Sequence, residues 1–150
     1  MREHLIFTPQ GRIAFMVQIP GNRHDVQGLY QLLETSFEGA LLGDNAYWPR
    51  EEMRVKLAGK RVEVWAESRS NWKFQYPPIT RKWLKTLRGR VERRIGLFDS
   101  QFNAGRTLCR SSKHYDARRW TKALAHNCSR HINTVRHLPG ESCAHFRLAA

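Results

Sequence analysis

Two carboxylates in this chain stand where chemistry tends to be done. Asp44 closes a short, wholly apolar run, Ala40-Leu41-Leu42-Gly43, and so lies at the carboxyl end of an expected strand. In open α/β sheets such strand ends face the crevice where functional groups gather. Glu92 is the only acidic residue between Glu67 and Asp99, and Arg88, Arg90, Arg93 and Arg94 surround it. Plain structural readings exist for both. Asp44 would cap a following turn, and Glu92 would pair along its helix with Arg88, a contact worth about 0.3–0.5 kcal/mol. The sharper reading is a pair of acidic groups working on a polyanion, with the bases around Glu92 supplying the grip.

The charge balance favours that partner. The 150 residues carry 26 Lys and Arg against 13 Asp and Glu, a formal net charge of +13. Residues 1–80 hold ten bases and nine acids, whereas residues 81–150 hold sixteen bases and four acids, a net of +12. A solvated helical face normally mixes both signs, so an excess this concentrated reads as a surface that tracks phosphates. Hydrophobic residues make up 41% and aromatic ones 11%, which excludes a disordered basic tail. No apolar run approaches the roughly 20 residues that cross a bilayer, and the N-terminus has no signal-peptide core. A cytoplasmic protein without a membrane partner is therefore expected. Three cysteines, Cys109, Cys128 and Cys143, are an odd number at irregular spacing and argue against a disulfide scaffold.

The elements that must position these groups follow from periodicity. Residues 4–8 and 13–19 are β-rich runs around Pro9-Gln10-Gly11-Arg12, a hairpin signal. In the second run Ile13, Phe15, Val17 and Ile19 alternate toward one buried face. Asp25 caps an expected helix over 26–37, with Val26, Leu29, Tyr30, Leu33 and Phe37 on one stripe. The apolar run 40–43 reads as a strand buried on both faces. Pro49 opens a helix over 50–58 that Gly59 stops, residues 62–66 form a strand, and residues 67–80 are a polar connection. Thr80 caps a helix over 81–103 whose Leu84, Leu87, Val91, Ile95, Phe98 and Phe102 make one stripe. A last helix over 116–134 places Trp120, Leu124, Cys128 and Ile132 inward, and residues 136–150 read as a tail. The order predicts an α/β domain with a mixed sheet.

Three segments in this order carry a resemblance. Ile19-Pro20-Gly21-Asn22-Arg23-His24-Asp25, Leu42-Gly43-Asp44-Asn45-Ala46-Tyr47 and Arg88-x-x-x-Glu92 resemble motifs of the DDE transposases encoded by bacterial insertion sequences, over about residues 3–134. The resemblance implies a ribonuclease-H-like mixed sheet flanked by helices. It also implies three carboxylates holding two divalent metals, Mg²⁺ or Mn²⁺, about 3.5–4 Å apart, for cleavage and transfer of DNA strands. Mg²⁺ prefers hard oxygen ligands, which suits Asp and Glu. Asp44 and Glu92 would be the second and third ligands, catalytic and metal-binding alike. Arg88 would contact DNA phosphate or steady the Glu92 carboxylate, Arg90, Arg93, Arg94, Arg106, Arg110 and Lys113 would hold DNA phosphate, and Tyr47 and Trp48 would stack on bases or pack in the core.

Two departures shape the expectation. The family's first Asp lies on a strand before the hairpin, and no match for it is present; Asp25 belongs to a different motif. Asp99 stands where many relatives carry Lys. The expected protein is thus a partial catalytic domain over 1–135, with a near-neutral α/β part (1–80), a basic helical part (81–135) and a tail (136–150). It lacks the first, central strand and is inactive alone. Its expected partners are DNA (transposon ends and target), a separate N-terminal transposase fragment and a second copy in a homodimer. The alternative is a non-catalytic DNA- or RNA-binding module. Cys128-x-x-His131 with His137 and Cys143 fits no standard zinc spacing.

Overall fold

The computed structural model describes residues 2–32, 34–68, 70–104 and 109–139. Among the described residues nine elements follow one another: β1 (Arg2–Phe7), β2 (Ile13–Ile19), α1 (Gln27–Leu32), β3 (Gly39–Gly43), a 3₁₀ turn (Asn45–Tyr47), α2 (Glu51–Gly59), β4 (Val62–Ala66), α3 (Pro78–Phe102) and α4 (Ser112–Val135). The chain divides into two compact units, one of residues 1–5 and 15–91 and one of residues 6–14 and 92–150.

In the first unit β3 and β4 run parallel, with Gly39 opposite Val62 and Gly43 opposite Ala66. A parallel pair needs a crossover, and α2 supplies it, burying Met53 and Leu57. The entry to the ladder is pinned by a hydrogen bond from the Gly39 amide to the Arg61 carbonyl, 2.9 Å. Gly39 takes φ +116°, which a residue without Cβ adopts readily, while Arg61 holds φ +57°. Val62 and Ala66 of β4 are buried with Leu41 of β3.

The mixed sheet resolves into two pairs among the described residues, β1 with β2 and β3 with β4. β3 is correspondingly not buried on both faces. Leu41 faces inward, but Ala40 and Leu42 are exposed, because β4 is the one described strand that pairs with β3. β2 buries Ile13, Met16 and Ile19 instead of strictly alternating positions. The unit boundary between Ala14 and Phe15 explains this: the strand's two ends serve different cores. α1 is shorter than its apolar stripe suggests, and Tyr30 points to solvent.

In the second unit α3 contributes Phe98, which is fully buried, and Phe102. Their rings stand 5.5 Å from that of His126 on α4, at steep angles. α4 corrects the expectation from periodicity. Its buried residues are Arg119, Ala123, His126, Ser129 and Asn133, whereas Trp120 and Leu124 are 54% and 64% exposed and Cys128 is exposed too. The polar face turns inward because the tip of the β1–β2 hairpin presents backbone groups that need partners. His126 Nε2 donates to the Gly11 carbonyl (3.0 Å), Arg130 to that of Gln10 (2.6 Å), and Asn127 bonds both the amide (2.8 Å) and the carbonyl (2.9 Å) of Ile13. Leaving such groups buried and unpaired would cost more than exposing a few apolar side chains.

Candidate functional site

Asp44 leaves β3 in extended conformation and directs its carboxylate back onto the following turn. Its Oδ1 accepts from the Ala46 amide at 2.9 Å, which makes Asp44 the cap of the 3₁₀ turn. The plain reading of this residue therefore holds, and it places the carboxylate at the carboxyl end of the parallel pair.

Tyr47 closes that turn. Its hydroxyl is hydrogen-bonded to Nδ1 of His4 on β1, and the two rings meet edge to face at 5.5 Å. Two glycines make room. A Cβ on Gly43 would stand 3.2 Å from the Tyr47 ring, and one on Gly28 would stand 3.1 Å from the His4 ring. Burial raises the Tyr47 hydroxyl to about 12, with the carboxylates of Asp25 and Asp44 adding to the shift. The phenol therefore stays protonated throughout the physiological range. Its hydroxyl is engaged with His4.

Trp48 belongs to a different cluster. Its ring lies 5.0 Å from Trp72 and 5.9 Å from Phe74, and Arg54 approaches its face at 6.0 Å. Tyr76 stacks on Trp65 at 5.9 Å and meets Phe74 edge to face at 4.9 Å. Trp48, Trp65, Phe74, Tyr76 and Arg54 border a cavity of about 870 Å³. The sequence reading of residues 67–80 as merely polar missed this. The signal was present, since Trp72, Phe74 and Tyr76 alternate with Lys73 and Gln75. Gln75 pins the segment by accepting from the Ser68 hydroxyl (3.0 Å) and donating to the Trp72 carbonyl (2.9 Å).

On α3, Arg88 pairs with Glu67 at 3.3 Å, both partly exposed. That contact joins the helix to the loop after β4 and is a different pairing from the one along the helix to Glu92. Glu92 is exposed, as are Arg90, Arg93, Arg110 and Lys113. Arg94 is half-buried and is committed to the hairpin, donating to the Thr8 carbonyl at 2.9 Å and the Pro9 carbonyl at 2.7 Å. Sequence reasoning took it for a phosphate ligand. Arg106 and Cys143 lie outside the described residues. Asp44 and Glu92 fall in different compact units.

Burial sets the titration of the second unit. It lowers Arg119, whose guanidinium donates to the Ala104 carbonyl, and lowers Lys122, which donates to the Asn103 carbonyl at 2.6 Å. Asp99 is raised by burial, against the pull of Lys122. His126 is lowered, first by burial and then by Arg130 and Arg94, while its bond to Gly11 opposes the shift.

A chain with a strand-end Asp, an arginine-rich helix bearing a lone Glu and an excess of bases has the parts of a protein that works on nucleic acid. The family model for the transposase DDE domain matches residues 1–128 and so takes in both carboxylates. The chain belongs to the transposase DDE domain family, whose members cleave and transfer DNA in transposition. No curated protein and no solved structure matches it. The family generally works with divalent metal ions. Asp44 and Glu92 suit such ions in donor type. Among the described residues, however, no three His, Cys, Asp or Glu side chains come together to hold one. The described donors do not by themselves amount to a metal centre.

Proposed function

We propose that this chain is a DNA-binding transposase domain that does not cleave strands by itself. The observation that carries the reading is the family match, which spans Asp44, Glu92 and the basic region as far as residue 128. Sixteen bases against four acids over residues 81–150 support DNA as the ligand. Arg90, Arg93, Arg110 and Lys113 are exposed and available to phosphate. Arg88 contributes from the rim while paired with Glu67. Inactivity is supported by the motif count, since the resemblance supplies two of the three carboxylates that two-metal phosphoryl transfer requires. The protein works at transposon ends and target DNA, as a homodimer or with a chain that brings the remaining carboxylate.

Binding to duplex DNA across a salt series tests the first half of this reading. Each phosphate neutralised contributes about −0.9 to the log–log slope, and a slope near zero sinks it. Nicking of supercoiled plasmid with Mg²⁺ or Mn²⁺ tests the second half. No nicking is expected, and nicking that disappears in Asp44→Asn would show the chain to be active alone.

A further inference from the structure

We infer that the aromatic cavity between β4, α2 and the segment 72–76 is a stacking site for unpaired nucleobases of single-stranded DNA. The inference deepens the proposed DNA-binding function and rests on it. Trp48, Trp65, Phe74 and Tyr76 line the cavity with Arg54 and Arg61. The rings form a connected platform, each within 6.3 Å of another. Phe74 is 53% exposed and Trp83, which meets Trp65 edge to face at 6.3 Å, is 51% exposed. Phe74 is thus the most open ring of the lining, while Trp48, Trp65 and Tyr76 are half-buried around it.

The chemistry of the lining selects a nucleotide over a purely apolar ligand. A flat base satisfies the ring faces, and the phosphates on either side of it satisfy the two guanidinium groups at the edge, which share the lining with the carboxylates of Glu51 and Glu63. Arg54 and Arg61 provide these, with side chains 57% and 82% exposed. Their present partners, Glu51 at 3.6 Å and Glu38 at 3.8 Å, hold them by exposed ion pairs that exchange cheaply for phosphate. Paired bases cannot use such a platform because their faces are already stacked. The ligand is therefore single-stranded. Gln75, bonded to Ser68 and Trp72, keeps the segment in place before any ligand arrives.

Four of the five tryptophans (Trp48, Trp65, Trp72 and Trp83) belong to this cluster, so intrinsic fluorescence reads the site directly. The full chain is titrated with a short oligothymidylate, with an abasic oligonucleotide of the same length and with a duplex. Oligothymidylate is expected to quench tryptophan emission and to bind about tenfold tighter than the abasic strand, which offers phosphates without bases. Phe74→Ala is expected to remove most of that difference while leaving abasic and duplex binding unchanged. Phe74→Leu, which keeps apolar bulk without a π face, should behave like Phe74→Ala. Both changes are at an exposed position, and circular dichroism verifies that each variant folds. Equal affinity for oligothymidylate and the abasic strand overturns the stacking site and leaves phosphate binding standing. Failure of all three ligands to bind overturns both readings.

Discussion

The ring of His4, on the first strand, is hydrogen-bonded through Nδ1 to the hydroxyl of Tyr47, forty-three residues later in the chain. The bond ties β1 to the turn that carries Asp44, and it works because Gly28 and Gly43 lack the side chains that would displace the two rings. Tyr47→Phe should remove the bond and leave His4, which is buried, without this partner. The expected loss is about 1–3 kcal/mol, the cost of unsatisfying a buried polar group, read from urea denaturation. A loss below about 0.5 kcal/mol would mean the ring packing alone holds the turn.

Arg94 offers a comparison on a single helix. Its guanidinium serves two hairpin carbonyls, whereas its neighbour Arg93 is exposed. Arg94→Met is expected to destabilise the protein by about 1–2 kcal/mol, the value of charge-assisted hydrogen bonds discounted for partial exposure. Arg93→Met should change stability by less than about 0.5 kcal/mol and should instead weaken DNA binding and flatten its salt dependence. Identical effects of the two changes would contradict these separate roles.

His126 makes stability depend on pH in a stated direction. Its folded value lies below the ordinary 6.5, chiefly through burial. As pH falls, the unfolded chain takes up the proton first. The contribution is therefore complete above about pH 6.5 and is lost as pH drops toward the folded value. Between about pH 8 and pH 5.5 the denaturation midpoint of the native chain should fall more than that of His126→Asn. Parallel curves for the two proteins would show that His126 is not responsible.

Gly11 sits at φ +85° in the hairpin turn, and a Cβ there would run into the guanidinium of Arg130. Gly11→Ala should cost about 1–2 kcal/mol, from backbone strain and from displacement of the arginine that binds the Gln10 carbonyl. Thermal unfolding measures it. Arg130→Ala in the same background would relieve the collision but not the strain, so a partial recovery is expected.

The outward face of α4 gives a fourth contrast. Leu124→Gln should be neutral to within about 0.5 kcal/mol because the side chain is 64% exposed. Ala123→Gln, one residue away and buried, should destabilise by more than about 1 kcal/mol through overpacking. A reversal of the two results would restore the inward face that periodicity predicts.

Local signals were legible where one element answers to one core. The strand at 62–66 follows from its own residues, since a β-branched run has little competition there, and the stripe of α3 was readable at Leu84 and Phe98 even though that helix runs from one unit into the other. Asp44 as a capping strand-end residue was readable too. α4 was misread because amphipathicity tells which face is apolar and not which face a polar neighbour needs. The hairpin carbonyls that draw His126, Asn127 and Arg130 inward are more than a hundred residues away in the chain. β2 was misread for a related reason, as one strand shared between two units has no single buried face. The roles of Arg94 and of the Trp72-to-Tyr76 segment are likewise tertiary facts, set by what lies across from them.

The hairpin tip also sets an order of events during synthesis. The backbone groups of Thr8 to Ile13 emerge near the start of the chain, but their partners are Arg94, His126, Asn127 and Arg130, separated from them by 85 to 120 residues. Contacts of such separation close late and slow the rate-limiting step. A chain that ends before residue 126 still has Arg94 for the Thr8 and Pro9 carbonyls but none of the α4 partners of Gln10, Gly11 and Ile13. The second unit thus stays unsealed until α4 has been made, and the rate of its closing depends on that helix reaching the hairpin.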